Sequence, residues 1–398
     1  MKRAVLACLL LVACEEEVEL PDAVAGRGAI LVLDADAPSG RTGWWPDVVF
    51  DAQDVPHIAY CDAERGDLVY ATREGSQWQR TIVEERGAVG KYVSLAVNSK
   101  GEPGIAFYDQ TQKYLRYASR REGNWQTERV AWGLEIGHGS VLHYDTNDVA
   151  HLFYYVPSGR LVHNVRTPDG KWQASTLTPA VGGFSARLSL VDRPEGYWLS
   201  FVNWGFKDTT LMLAEKPNDG TLTLHTIAED DGPGWRSFVV FEKGPKPTLL
   251  FSESLKERIK IARPTKNGWD NRLLIRRAGN FAGAALPSGG WVIAYEDIFW
   301  GNAGNGLVKY LRYEDGVFTK VEVDSDAPAG EYIDVAVNSK GELLIAYYAD
   351  RVKGLKIYDE SRAGAGAKAP PPRSATGKVQ AEPDVEPEVG GQNQKDPQ

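Results

Sequence analysis

Val97-Asn98-Ser99-Lys100-Gly101-Glu102 recurs unchanged as Val337-Asn338-Ser339-Lys340-Gly341-Glu342, which is 240 positions later. A six-residue identity at this distance indicates an internal repeat, because 240 residues divide into five periods of 48. In both copies a polar, glycine-containing segment stands between two apolar runs. This pattern is typical of a tight turn whose glycine takes a positive φ, so the stretch predicts a repeating unit of short strands and turns.

A second feature sets the period more finely, namely a short apolar segment that ends in an aromatic residue and occurs seven times. The aromatic residues are 47, 47, 47, 50, 44 and 52 positions apart, which is the spacing of four-stranded propeller blades. The seven triplets begin at Ile58, Ile105, Leu152, Leu199, Leu249, Ile293 and Ile345. A large apolar residue follows six of them in phase: Trp78, Trp125, Trp172, Leu222, Trp269 and Phe318.

Within one period, four strand-like segments are separated by turns, at 92–97, 104–108, 114–119 and 125–130. β-Branched and aromatic residues fill these runs, and none keeps the 3.6-residue apolar period of a helix over ten residues. We therefore predict an all-β chain that forms a seven-bladed β-propeller over residues 28–361. An open solenoid and a ring of six or eight blades are the alternatives.

The last repeat lacks a fourth strand, because the chain after Tyr358 becomes rich in Ala and Gly and then contains three successive prolines. An unclaimed strand, residues 29–33, precedes the first full repeat. We expect this strand to complete blade seven and so to close the ring, which removes exposed strand edges. Residues 362–398 have almost no large apolar side chains, so we expect a disordered tail.

The start of the chain predicts export. Lys2 and Arg3 precede an apolar run, residues 4–13, that is too short to span a bilayer as a mature helix. The run ends in Leu11-Val12-Ala13-Cys14, which resembles the lipobox of bacterial lipoproteins. The resemblance implies a signal peptide at 1–13, lipidation of Cys14 and an acidic tether over 14–27. The alternative is an ordinary secretory signal that contains a cysteine by chance.

Cysteine use and charge limit the function further. Once Cys8 is cleaved off and Cys14 is lipidated, only Cys61 remains, so no intramolecular disulfide can form. The formal charge is −9, and loss of Lys2 and Arg3 makes it −11. A scattered, net acidic charge opposes nucleic-acid binding. We expect an envelope lipoprotein held in the outer membrane through its lipid alone, since Glu15 is not the aspartate that retains enteric lipoproteins at the inner membrane.

Two classes of loop share one face of a propeller around its channel, and ligands normally bind there. The loops that join successive blades carry aromatic residues in most repeats. These side chains either form a ring of flat faces that contacts a ligand or pack between the blades. They are Trp44, Trp45, Tyr92, Phe184, Trp235, Phe281 and Tyr332.

The loops between the second and third strands are irregular in repeats four and six. These two loops are longer than the others and rich in Gly and Asn, and they place Trp204, Phe206, Phe299 and Trp300 at predicted surface positions. Exposed tryptophans of this kind indicate a partner surface. The alternative is that they fold back over the blade edge.

Acidic residues recur after the triplets, as Asp62, Asp109, Glu253, Glu296 and Asp297. They either form a carboxylate crown suited to a cation or to acid–base work, or accept hydrogen bonds in turns. No nucleophile elbow, zinc-protease pair or P-loop occurs. The repeats resemble sialidase-like and lectin-like propellers over residues 28–361, but the Asp-box of sialidases is missing. The resemblance therefore supplies no catalytic residue, and we expect no metal and no cofactor.

Three functions remain. The leading one is a non-catalytic lipoprotein that binds a glycan or a protein, or serves as a scaffold. The second is a carbohydrate-active enzyme with carboxylates from two blades, which a cluster of Arg and carboxylate side chains in the channel would favour. The third is an accessory subunit of an envelope assembly or motility machine, which a contiguous apolar patch would favour.

Overall fold

The chain folds into seven antiparallel sheets arranged as the blades of a β-propeller. Each blade contributes four strands, and the first strand of each lines the central channel. The described part contains no α-helix and ends in a 3₁₀ turn, Glu360–Arg362. This computed structural model describes residues 16–33, 41–134, 136–156, 158–178, 187–204, 209–229, 233–253, 256–298, 306–326 and 328–362.

The strands follow the predicted repeat. They are, in blade one, β3 (Thr42–Phe50), β4 (Pro56–Asp62), β5 (Asp67–Glu74) and β6 (Gln77–Glu84); in blade two, β7 (Lys91–Val97), β8 (Pro103–Asp109), β9 (Tyr114–Arg121) and β10 (Asn124–Trp132); in blade three, β11 (Val141–Tyr144), β12 (Ala150–Tyr155), β13 (Leu161–Arg166) and β14 (Trp172–Thr176); in blade four, β15 (Ser189–Arg193), β16 (Gly196–Trp204), β17 (Thr209–Pro217) and β18 (Thr223–Glu229); in blade five, β19 (Pro233–Phe241), β20 (Pro247–Glu253), β21 (Arg258–Thr265) and β22 (Gly268–Arg276); in blade six, β23 (Ala278–Ala285), β24 (Trp291–Ile298), β25 (Gly306–Glu314) and β26 (Val317–Asp324); and in blade seven, β27 (Ala329–Val337), β28 (Leu343–Ala349), β29 (Gly354–Asp359) and β2 (Ala29–Val32).

The apolar triplet is explained by the place of the second strand in each blade. Every residue of β4, β8, β20 and β28 is buried. A strand covered on both faces has no solvent side, so it reads as a continuous apolar run and not as an alternating one. The neighbouring blades pack against these strands and form the hydrophobic core between the sheets.

The repeated hexapeptide forms a turn that joins neighbouring blades. Gly101 and Gly341 adopt φ of 78° and 82°, as the sequence predicted for such a turn. Ser99 donates from its backbone N–H and its hydroxyl to the Asp148 carboxylate in blade three, at 2.7 Å each. Ser339 makes the same pair of bonds to Asp54 of blade one, at 2.8 and 2.6 Å. The turn therefore recurs because it links one blade to the next.

The ring closes through its amino-terminal strand, which confirms the prediction for residues 29–33. β2 pairs antiparallel with β29, with Ala29 opposite Asp359 and Val32 opposite Lys356. Leu31 and Leu33 are buried in the hydrophobic cluster that blades one and seven share. Blade seven thus takes its outermost strand from the other end of the propeller sequence.

Residues 16–28 lie against the outer edges of two blades, and we call this segment the strap. The backbone of Glu17 bridges in parallel to Leu273 of blade five, and the Val18 N–H donates to the Leu273 carbonyl at 2.9 Å. Further along, β1 (Val24–Ala25) pairs in parallel with β26 of blade six. The strap therefore follows blades five and six before it reaches blade seven as β2.

Two further findings concern the membrane and the cysteine. Among the described residues, no helix is long and apolar enough to cross a membrane. Cys61 is free, with only 2% of its surface exposed. Burial raises the pKa of its thiol to about 12, so Cys61 is a packing residue and not a reactive nucleophile.

Candidate binding site at the mouth of the ring

The channel opens on the face where the inter-blade loops lie, and we call this opening the mouth. Near the mouth, the pairing of the first strand is shifted by a bulge in β3, β7, β19, β23 and β27. A bulge turns the following side chain away from the regular strand direction. The residues at this point are thereby positioned to face the opening.

One repeat position lines the mouth in all seven blades, three residues before the residue that pairs with the first member of the triplet. Aromatic side chains occupy it in three adjacent blades, seven, one and two, and arginines occupy it in blades four and five. In order of blades, the position holds Trp45, Tyr92, Gly139, Arg187, Arg236, Asn280 and Tyr332. The mouth therefore has an aromatic side and a cationic side.

The three aromatic residues form a continuous half-buried surface, which we call the aromatic arc. The ring centroid of Trp45 lies 5.2 Å from that of Tyr92 and 5.0 Å from that of Tyr332. His138 of blade three extends the arc, 3.8 Å from Tyr92, and Trp44 stacks on Tyr332 at 5.2 Å. The arc thus presents flat faces over about half of the ring.

The arc is held in a strained backbone conformation. Trp45, Tyr92 and Tyr332 have φ of 48°, 54° and 52°, the left-handed region that bulky residues rarely adopt. Each such residue costs about 1–3 kcal/mol, and strain of this kind clusters at functional sites. Three aromatic residues in this conformation at equivalent positions therefore indicate a binding surface.

Arg187 crosses the channel. Its guanidinium donates to Asp47 of blade one at 2.9 Å and to Asp334 of blade seven at 3.0 Å. Blade four stands three blades away from each of them, so the side chain spans the ring and forms a floor below the arc. The Arg187 side chain remains 26% exposed, whereas those of Asp47 and Asp334 are 11% and 9% exposed.

The two carboxylates also tie neighbouring blades together. The Val48 N–H donates to Asp334 at 2.8 Å, and the Leu95 N–H donates to Asp47 at 2.9 Å. Burial, with a smaller contribution from the Asp334 carboxyl, raises the pKa of Asp47 to about 7 despite the Arg187 guanidinium. The pair therefore holds a shared proton near neutral pH. The cavity that these residues line has a volume of about 230 Å³.

The predicted aromatic residues are only partly brought together. Trp45, Tyr92 and Tyr332 meet at the mouth and contact one another, so they do not merely fill gaps between blades. The register gives the equivalent position in blade five to Arg236 and places Trp235 one residue earlier, where its side chain lies outside the described residues.

The predictions on the irregular loops and on the anchor concern parts of the chain that the structure does not describe. β16 ends at Trp204, whose side chain is outside the described part, as are Phe206, Phe299 and Trp300. Cys14 also lies outside it. All of these stay predictions.

The acidic residues after the triplets are engaged in turns and ion pairs, as the second interpretation of them predicted. The Asp62 carboxylate accepts the backbone N–H of Glu64 at 3.2 Å. Asp109 accepts the N–H of Gln112 at 2.9 Å, and the Asp297 carboxylate pairs with Lys309. Glu253 contacts Arg258 and Lys260, and Glu296 is fully buried. The carboxylates that face the channel are instead Asp47 and Asp334.

Histidines and other metal-ligating side chains form no metal site within the part of the chain that is described. The one group of histidines stacks in blade three, with the His151 Nδ1 2.9 Å from the His163 Nε2. Burial lowers the pKa of His163 to about 4, which favours neutral imidazoles packed in the blade.

Sequence reasoning missed the arginines, although a signal for them exists. The mouth position precedes the first residue of the triplet by 13 residues in six blades and by 12 in blade four. A search restricted to aromatic residues passed over Arg187 and Arg236 at this same spacing. It also passed over Trp132 and Leu134, whose surfaces are 70% and 60% exposed at the outer rim of the mouth face.

Comparison with known proteins identifies the fold only. No family model and no curated protein matches the sequence. YCF48 bound to D1 peptide matches with a TM-score of 0.54 and 14% identity, over 86% of this chain and 99% of that chain. A protein of unknown function from Dyadobacter fermentans matches with a TM-score of 0.52 and 12% identity, over 83% and 97%. The fucose-specific lectin from Aleuria aurantia has a TM-score of 0.46 and 13% identity, over 69% and 98%. At these identities the likeness shows the β-propeller fold and nothing finer.

Proposed function

We propose that this protein is a non-catalytic, lipid-anchored envelope protein that captures a saccharide at the mouth of its ring. The aromatic arc carries the proposal, because it places three half-exposed rings side by side above a small polar cavity. Flat aromatic faces beside a few fixed polar groups suit the alternating apolar and hydroxylated faces of a sugar. The anchor rests on the lipobox resemblance at Cys14.

The experiment measures saccharide capture by the soluble domain on a glycan array, followed by titration calorimetry with the best ligand. Trp45→Ala should weaken binding about thirtyfold, since truncating a central aromatic contact costs roughly 2 kcal/mol or more. The matched control is Trp132→Ala, a tryptophan that is 70% exposed outside the arc. Equal affinity of Trp45→Ala and the unaltered domain would contradict the proposal.

Two neighbouring hypotheses are read in the same assay. Loss of capture in Trp204→Ala or Trp300→Ala, with the melting temperature kept, would extend the site to the irregular loops. Loss of a protein partner in Trp132→Ala, without loss of saccharide binding, would instead favour an accessory subunit that docks through its outer rim.

A carbohydrate-active enzyme is the second candidate, because arginine and carboxylate side chains do converge in the channel. A carboxyl with a raised pKa beside a second carboxylate is the arrangement that glycoside hydrolysis uses. However, Asp47 and Asp334 both accept bonds from Arg187 and from backbone N–H groups. Turnover of a glycan by the purified domain, abolished by Asp47→Asn, would replace the binding-only proposal.

A further inference from the structure

The cationic side of the mouth contains one arginine whose charge is not balanced. The Arg236 Nη1 donates to two backbone carbonyls, those of Phe281 and Ile333, at 2.9 Å each. Among the described residues, no carboxylate oxygen lies within salt-bridge distance of it. Burial and the neighbouring Arg187 lower the pKa of Arg236 to about 10, so the guanidinium remains charged at neutral pH.

A buried cation without an acidic partner is unfavourable, because its lost hydration is not replaced by an opposite charge. The rest of the chain does not lack acids, since its formal charge is −9. Arg187, at the equivalent position of the next blade, is paired with two carboxylates. The contrast between the two arginines indicates that Arg236 is reserved for an anion that comes from outside the chain.

Arg236 also lies close to the aromatic arc. The Ile333 carbonyl that it contacts belongs to the residue directly after Tyr332, although Arg236 is in blade five and Tyr332 in blade seven. One ligand could therefore place a ring face on Tyr332 and Trp45 while an anionic substituent contacts the guanidinium. A planar carboxylate matches the two-pronged geometry of a guanidinium better than other anions do.

We propose that the mouth selects acidic saccharides, with the sugar ring on the aromatic arc and its carboxylate on Arg236. This rests on the proposed saccharide-binding function and names the ligand class for that same site. Uronic acids are the simplest sugars of this chemistry. Neutral sugars would retain the contact with the arc but leave the Arg236 charge unbalanced.

The test compares galacturonic acid oligomers with galactose oligomers of the same length, by calorimetry on the full chain. The acidic oligomer should bind at least about tenfold more tightly, the usual value of a hydrogen bond to a charged group. Arg236→Met should remove this preference and leave the weaker binding of the galactose oligomer intact. The matched control Arg193→Met, at the opposite end of the ring, should keep the preference.

If Arg236→Met does not fold, Arg236→Lys keeps the charge without the planar fork, and its preference should fall to an intermediate value. Equal affinities of the unaltered chain for the two oligomers would overturn the inference while leaving saccharide binding in place. Tighter binding of a sulfated galactose oligomer than of the galacturonic acid oligomer would overturn the carboxylate assignment. Absence of binding to every saccharide, with the fold retained, would instead refute the proposed function itself.

Discussion

Replacing Arg187 by methionine tests whether the side chain across the channel holds the ring together. The substitution keeps most of the apolar stem but leaves Asp47 and Asp334, which are 11% and 9% exposed, without their counter-charge. Removing one partner of a buried ion pair costs about 3–5 kcal/mol. We expect a loss of this size in the free energy of unfolding at pH 8, and a smaller loss at pH 5, where a proton can neutralise one carboxyl.

The assay is guanidinium unfolding followed by circular dichroism and tryptophan fluorescence at both pH values. Arg193→Met is the matched control, because its partner Glu195 is 60% exposed and a surface pair contributes less than about 1 kcal/mol. Asn at both positions 47 and 334, combined with Arg187→Met, should recover much of the loss, since no unpaired charge then remains. A loss below about 1 kcal/mol at both pH values would refute the role of Arg187.

Three further predictions concern closure, the anchor and pH. Deleting residues 28–35 should lower the melting temperature, because it removes β2 and opens an edge in blade seven, whereas deleting 364–398 should leave the melting temperature unchanged in a thermal scan. Cys14→Ser should release the protein from membranes or leave an uncleaved precursor, and continued incorporation of labelled palmitate would contradict the lipobox assignment. Burial lowers the pKa of His138 and of His163 to about 4, below the value of about 6.5 in the unfolded chain. Their contribution to stability is therefore complete above pH 6.5 and is lost as the pH falls towards 4, so unfolding free energies measured across this window should decline less in His163→Gln.

The blades could be predicted from the sequence because their signal is local and repeated. The triplet marks a strand that is buried on both faces, and this burial constrains its residues in every blade. The closing strand could be predicted by elimination, since blade seven lacked one strand and residues 29–33 had no other sheet to join. Both predictions depend only on strand composition and on the number of repeats.

The mouth could be predicted only in part, because its chemistry depends on contacts across the ring. Trp45, Tyr92 and Tyr332 were found through their residue type. Arg187 contacts Asp334, which is 147 residues away, and no local pattern announces a partner at that distance. A buried carboxyl with a raised pKa, such as that of Asp47, likewise arises only when the folded ring brings several blades together.

The strap has a consequence for how the protein would meet a membrane. Glu16 accepts the Leu273 N–H at 3.0 Å on the outer edge of blade five, and Cys14 precedes it by two residues, which span at most roughly 7 Å. With acyl chains on Cys14, blade five would be held next to the bilayer, and rotation of the ring about its axis would be restricted. Blades one and two stand across the ring from blade five. Trp45 and Tyr92 would then occupy the side farthest from the lipid, where long polysaccharide chains have the freest approach.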